Sequence, residues 1–369
     1  MERKYDVVII GAGVIGFSIA FRLKCLKPNL SVAVLGDPVN SLMASRAAAG
    51  MLAPYGECEK ADRFFEFCRE SLGKYPKFIS ELEDRAGESV YFSQAGSLIP
   101  SAYFEGRWDK QISFFDSQKI PYEIWEPAEV RTKAPALSTT CGKVLWVPEA
   151  QVNNRQMHSA LSKASRSMGV SVMNESVTGF RLTDNAITAT LTDAGEVQGG
   201  IYVLSAGSWS AQLGKILNIS LPIKPIKGQM CRVAVEDNCL KYTVHGMLTY
   251  IAPWREGLGY VIGSTMEDRG FDPAIEEETI QALIDKAAEI VPCIKSAPLL
   301  ETWTGFRPAP EDLSPIMGKS GRYKNLFISS GHFRNGILQT PNQADYMAGL
   351  ILESGVKEIS EFSPSRYKL

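Results

Sequence analysis

Histidine is scarce in this chain and paired cysteine is absent. The 3 histidines, His158, His245 and His332, stand far apart, no two of them at metal-ligand spacing, and no H-E-x-x-H occurs. No metal centre is therefore expected. The 7 cysteines are odd in number and form no C-x-x-C pair, which argues against a disulfide framework and for a reducing, cytoplasmic setting. No run of five like charges occurs, and 39 Lys and Arg against 41 Asp and Glu leave a formal charge of −2. That balance gives no net basic field to hold nucleic acid or an anionic membrane. The apolar run at residues 7–21 covers 15 residues and holds three glycines. A membrane helix needs about 20 apolar residues, and no small-x-small cleavage site follows the run. Neither a membrane span nor a secretory leader is expected.

The remaining composition is that of a packed globular protein. Apolar residues make up 45% and charged residues 22%, enough for a sizeable core. At roughly 150 residues per domain, 369 residues predict two or three domains. Residues 5–10 (YDVVII) are short, apolar and β-branched, the pattern of a buried parallel strand. They run into Gly11, Gly13 and Gly16 of the GAGVIG segment, then a helix over 17–26, then a second strand over 31–35 (SVAVL). Strand, glycine turn, helix and strand within about 30 residues form the dinucleotide-binding context. Gly11 permits the tight turn, Gly13 lets the backbone approach a pyrophosphate, and Gly16 lets helix and strand pack closely. The helix N-terminus, with Val14 and Ile15, offers N–H groups and a positive dipole end to phosphate. The bland alternative is a glycine-rich core turn. The acid expected at the end of the second strand is displaced: Gly36 stands there, with Asp37 one position later. The motif alone does not separate NAD from FAD.

Further along, six segments occur in order: GAGVIG at 11–16, SRAAAGML at 45–52, LSAGSW at 204–209, PIKPIKGQ at 222–229, GFRP at 305–308 and GHFRNGIL at 331–338. Together they resemble the D-amino-acid oxidase family of flavoproteins over nearly the whole chain. With ECE at 57–59, the resemblance is closest to the family's bacterial glycine oxidases. It implies an α/β fold in which a Rossmann-like FAD-binding domain is interleaved with an α+β substrate domain built on an antiparallel sheet. The FAD-binding parts are then 1–84, 151–219 and 306–369, and the substrate parts 85–150 and 220–305. It also implies FAD contacts at Gly11, Gly13, Val14, Ile15, Gly16, Gly36 and Asp37. Further contacts are implied at Ala44, Ser45, Ala49, Gly50, Met51 and Thr178, and from His332 through Phe333, Arg334, Asn335, Gly336 and Ile337 to Leu338. No cysteine stands near Arg307, so the flavin is expected to be non-covalent.

The chemistry so implied is oxidation of a small amino acid by dioxygen. Glycine would give glyoxylate, ammonia and hydrogen peroxide, with sarcosine and D-alanine as side substrates and a role in thiazole synthesis for thiamine. Such a site needs a cation for the carboxylate. The planar fork of Arg307 suits a bidentate clamp, although the residues alone leave it equally open to a surface ion pair. Pro308, lacking an N–H, predicts that the strand ends there. By the resemblance Tyr250 helps hold the carboxylate, Met266 and Met51 wall the site, and Arg334 stands beside the substrate. Read from the residues alone, Tyr250 is equally a core tyrosine and the methionines core filler. His332 reads as a hydrogen-bonded structural histidine rather than a base. Two alternatives stay open: an amino-acid dehydrogenase passing electrons to a quinone or partner protein, and a nucleotide-binding sensor without turnover. A homotetramer is what the family suggests, and the tail after Ser354 reads as peripheral.

Overall fold

The computed structural model describes residues 3–56, 60–104, 106–235, 240–246, 249–254 and 259–367. The ECE segment at 57–59 and Leu248 lie outside the described residues.

The β-branched strand Lys4–Ile10 is central in the first sheet, between Val32–Leu35 on one side and Gly195–Leu204 on the other, all parallel. Ser171–Met173 extends the parallel run beyond Val32–Leu35, and Leu326–Ser330 beyond Gly195–Leu204. An antiparallel hairpin, Val177–Thr183 with Ala186–Thr192, and the strand Ile316–Lys319 complete the eight strands. Parallel strands buried on both faces need helices to cover them. The helix Val14–Leu26 does so; it begins three residues before the expected start and is buried along most of its length. Arg63–Ala86, Asn154–Ser167 and Gly336–Ile351 pack around it. Arg63–Ala86 is well defined at both ends: Asp62 accepts the Phe65 N–H at 2.9 Å, and Gly87, left-handed, closes the C-terminus.

The second eight-stranded sheet runs in the order Leu299–Pro310, Ile223–Val233, Tyr260–Gly263, Tyr250–Pro253, Thr243–His245, Ser97–Pro100, Val144–Val147, Glu123–Trp125. It is antiparallel except where Thr243–His245 runs parallel to Ser97–Pro100. Its strands come from two stretches, 97–147 and 223–310, set between those of the first sheet at 4–35, 171–204 and 316–330, so the chain leaves the first sheet for the second twice and twice returns. A three-stranded ribbon of Met51–Leu52, Ala150–Val152 and Phe92–Ser93 lies apart from the two large sheets.

Two expectations fail here. The strand carrying Arg307 does not stop at Pro308 but continues to Pro310. It is the edge strand, and Pro308 sits opposite Pro225. Two facing prolines ask no N–H of each other, as at a non-hydrogen-bonded pair. The tail is not peripheral either. Phe362 is fully buried, its carbonyl accepts the Met317 N–H at 2.8 Å, and its ring meets Phe67 edge-on. Residues 355–361 are polar enough to read as loose, but one aromatic anchor docks the segment.

Candidate functional site

One continuous cavity of about 890 Å³ runs from the turn after Lys4–Ile10 to the second sheet. At one end the backbone of residues 10–15 forms its floor. Gly11 has φ +126°, and a Cβ there would fall 2.6 Å from the Ser205 carbonyl carbon and 2.9 Å from the Ala206 nitrogen. Gly13 caps the helix without a side-chain bond, and the helical ladder begins with Phe17 N–H donating to Gly13 O at 3.0 Å. The first-turn amides before it point out of the helix end. Val14 N–H is the exception, donating to Ser45 Oγ at 3.0 Å. Asn154 Nδ2 in turn donates to the Ser45 carbonyl at 2.8 Å. Behind the turn, buried His158 places Nε2 2.8 Å from the Ala12 carbonyl. Burial holds its pKa down at about 4, so it is neutral at pH 7.

Of the residues expected along the cofactor, Gly11, Gly13, Val14, Ile15, Gly36, Asp37, Ala44, Ser45, Ala49, Gly50 and Met51 line this cavity. His332, Phe333, Arg334, Asn335, Gly336 and Ile337 line it as well. Three do not. Gly16 faces the Gly11 carbonyl and Ser205 Oγ, which makes it a packing glycine. Leu338 is buried in the core beneath its helix. Thr178 is exposed, and its hydroxyl donates to the Leu191 carbonyl within its own hairpin at 3.3 Å. The neighbouring residues 175–177 line the cavity in its place; of these only Val177 is in the strand, and alternation turns the next residue, Thr178, to the opposite face. Asp37 caps its own turn, accepting the Val39 N–H at 2.8 Å. Gly36, at φ +139°, passes close over Ala12: a Cβ would lie 3.1 Å from the Ala12 nitrogen.

At the other end the second sheet supplies the wall. Arg307 is half-buried. Its Nη1 donates to the Thr265 carbonyl at 3.1 Å and more weakly to the Lys227 carbonyl at 3.5 Å, and its Nη2 donates to Ser264 Oγ. These bonds fix the plane of the guanidinium on the cavity wall. Lys227, fully buried, pairs with Asp272 at 3.3 Å and anchors that strand. Room for the guanidinium comes from Gly228, where a Cβ would lie 2.6 Å from Nη2 and 2.7 Å from Cζ. Tyr250 also lines the wall, its hydroxyl 3.6 Å from Met230 Sδ, and Gly263 clears its ring in the same way. Met51 packs beside Tyr250 in a cluster with Ala49, Met230 and Trp303. Met266 lines the cavity while 64% exposed, so it belongs to the rim.

Residues 331–337 cross between the two ends. Gly331 and Phe333 have positive φ, and Phe333 N–H donates to the Pro308 carbonyl at 3.0 Å. That bond ties the turn to the Arg307 strand. The helix Gly336–Ile351 then starts at Asn335 without a side-chain cap, its N-terminal residues on the cavity. His332 is buried and bonded to Gln339 Oε1 at 2.7 Å, and burial lowers its pKa to about 4. That is the structural role expected of it. Arg334 is exposed at the opening. Sequence reasoning missed Gly228, Ser264 and Thr265. For Gly228 a signal existed: an isolated glycine within a strand pattern marks close approach of other atoms.

Among the described residues no cysteine lines the cavity, no His/Cys/Asp/Glu group could hold a metal, and no helix is long and apolar enough to cross a membrane.

Comparison with known proteins agrees with this arrangement. The family profile described as FAD dependent oxidoreductase matches residues 6–350. A glycine oxidase from Bacillus licheniformis is 30% identical over 361 residues, covering 97% of this chain and 95% of that protein. The crystal structure of glycine oxidase from Geobacillus kaustophilus superimposes with a TM-score of 0.91 at 29% identity, covering 99% of each chain. The bifunctional protein ThiO/ThiG of Trichormus variabilis is 35% identical over 98% of this chain, but the chain spans only 55% of that protein. The glycine turn, the small-residue wall and a profile that matches almost from end to end agree, and the chain belongs to the FAD dependent oxidoreductase family.

Proposed function

We propose that this chain oxidises glycine and other small amines or D-amino acids, sarcosine and D-alanine among them, with dioxygen. For glycine the balance is glycine, dioxygen and water to glyoxylate, ammonia and hydrogen peroxide. FAD, when bound, supplies the two-electron acceptor for the hydride leaving the substrate Cα and returns the electrons to dioxygen. The residues fit that group. Gly13 and Gly36 leave backbone open where a side chain would intrude, the first turn of Val14–Leu26 offers amides to a pyrophosphate, and residues 44–51 present small side chains to a flat ring. The N-terminal end of Gly336–Ile351 favours negative charge nearby, which suits reduced flavin.

One observation carries the substrate class: Arg307, oriented by three bonds, lies on the same cavity wall as Tyr250. The guanidinium takes the carboxylate as a charge-assisted pair, and the Tyr250 hydroxyl donates to the same group. That leaves the Cα–H to be aimed by fit, and no side chain has to remove a proton if the amine is neutral. Arg334 at the opening attracts the anionic carboxylate, and Met51 and Met266 exclude water. We place the protein in the cytoplasm as a homotetramer that feeds thiazole synthesis, and we read residues 85–150 and 220–305 as its substrate domain. This reading is supported by the resemblance to glycine oxidases and the scattered free thiols.

The test is a visible spectrum of the purified protein, before and after anaerobic glycine. Flavin bands that bleach, then return with peroxide when air is admitted, are expected. Flavin untouched by any small amine refutes the substrate assignment, and bleaching that air does not reverse refutes the oxidase reading in favour of a dehydrogenase.

A further inference from the structure

Glu149 is buried in the turn between Val144–Val147 and Ala150–Val152. Its Oε1 accepts the N–H groups of Tyr55 and Gly56, both at 2.8 Å, and its Oε2 lies 3.2 Å from His245 Nε2. One carboxylate therefore joins two segments that each line the cavity, one through Ala53 and the other through His245, Gly246 and Tyr250. His245 stands directly opposite Tyr250 in the antiparallel ladder, so the two side chains leave the sheet on the same face. There is no slack behind the imidazole. A Cβ on Gly56 would lie 3.2 Å from both Cε1 and Nε2. The loop itself is held from its far side: the Tyr55 carbonyl accepts from Gln111 Nε2 at 3.0 Å, and the Tyr55 ring tilts against Phe65. Burial, and after it the charge of Glu149, pushes the Tyr55 phenol pKa up, so the phenol stays neutral.

We propose that His245, held by Glu149, is a specificity-determining residue: it limits the size of the substituent that the substrate carries past Tyr250. Glu149 is the positioning residue that locks both the ring and residues 53–56 in place. This deepens the proposed function and rests on it. Arg307 binds the carboxylate common to all substrates, whereas the Glu149–His245 pair discriminates among what is attached to the carbon or nitrogen.

The experiment uses the FAD-loaded protein. Glycolate and the bulkier 2-hydroxybutanoate are titrated against the flavin absorbance, and kcat/KM is measured for glycine and N-ethylglycine. His245→Ala and Glu149→Ala are expected to shift both ratios at least tenfold toward the bulkier compound. Glu149→Gln keeps an acceptor for the two N–H groups and a donor for His245 Nε2, and is expected to stay within threefold of the wild type. A pair that merely staples the fold would lower Tm in both alanine variants and leave both ratios unmoved, which would overturn the proposal. If Glu149→Ala does not fold, His245→Ala decides alone, since it leaves the two bonds from Glu149 to residues 55 and 56 in place. A wild-type flavin that no amino acid bleaches overturns the proposed function instead, and the carboxylate ratio still decides the role of the wall.

Discussion

Gly228→Ala tests the carboxylate clamp without touching the arginine. Gly228 is buried in the interior strand Ile223–Val233, opposite Gly305. Its strand backbone accepts alanine without strain, so the added methyl is the whole perturbation. That methyl would sit 2.6 Å from Arg307 Nη2 and 2.7 Å from Cζ, closer than atoms tolerate. The far end of the arginine is the movable partner, so the guanidinium leaves its bonds to the Thr265 carbonyl and Ser264 Oγ. A charge-assisted hydrogen bond contributes roughly 1.5–3 kcal/mol, and each 1.4 kcal/mol is about tenfold in affinity. Glycolate binding and the glycine KM should therefore weaken about 10- to 150-fold. FAD content and the unfolding midpoint should change little, because the phosphate turn lies at the other end of the cavity. The assay is a flavin absorbance titration beside steady-state peroxide release, with Arg307→Ala setting the largest loss to be expected. A Gly228→Ala protein that retains FAD and binds glycolate within twofold of the wild type would refute the reasoning.

Gly13→Val should yield protein that folds but does not hold FAD, since the side chain meets Ser45 Oγ and covers the open amides of the turn; a variant purified yellow would contradict the phosphate-loop assignment. Phe362→Ala should cost about 3–5 kcal/mol in urea unfolding, the usual loss for a buried aromatic, and a loss below about 1 kcal/mol would return the tail to the periphery. His158 and His332 both titrate near 4 when folded against 6.5 when unfolded. Their folded pKa is the lower one, so the stability they carry is present above pH 6.5 and is lost as pH falls from 6.5 toward 4. At about 1.4 kcal/mol per unit, each contributes roughly 3 kcal/mol across that window. His332→Gln should accordingly lose less stability between pH 7 and pH 5 than the wild type, and parallel losses would disprove the linkage.

What the sequence determined by itself was local or periodic. The β-branched run into three spaced glycines implied a strand, a turn and a helix end, because each role follows from a backbone requirement within about 30 residues. The observed elements Lys4–Ile10, Val14–Leu26 and Val32–Leu35 lie within three residues of where the pattern put them. Arg307 was legible as a possible clamp, and its orientation was not. That depends on Gly228 and Ser264, which are remote in sequence and meet the guanidinium only once the second sheet has formed. Pro308 looked like a strand end because a missing N–H is visible in sequence, whereas the facing Pro225 that makes it harmless is fixed by sheet register. Glu149 and His245 carry no motif at all; 96 positions apart, they become a pair when two segments fold against one cavity. Phe362 reads as tail until the groove beside Phe67 exists to receive it. The local code specifies which backbone can turn, bind phosphate or extend. Tertiary packing decides which side chains share a wall, because burial and contact are properties of the assembled layers and not of any single segment.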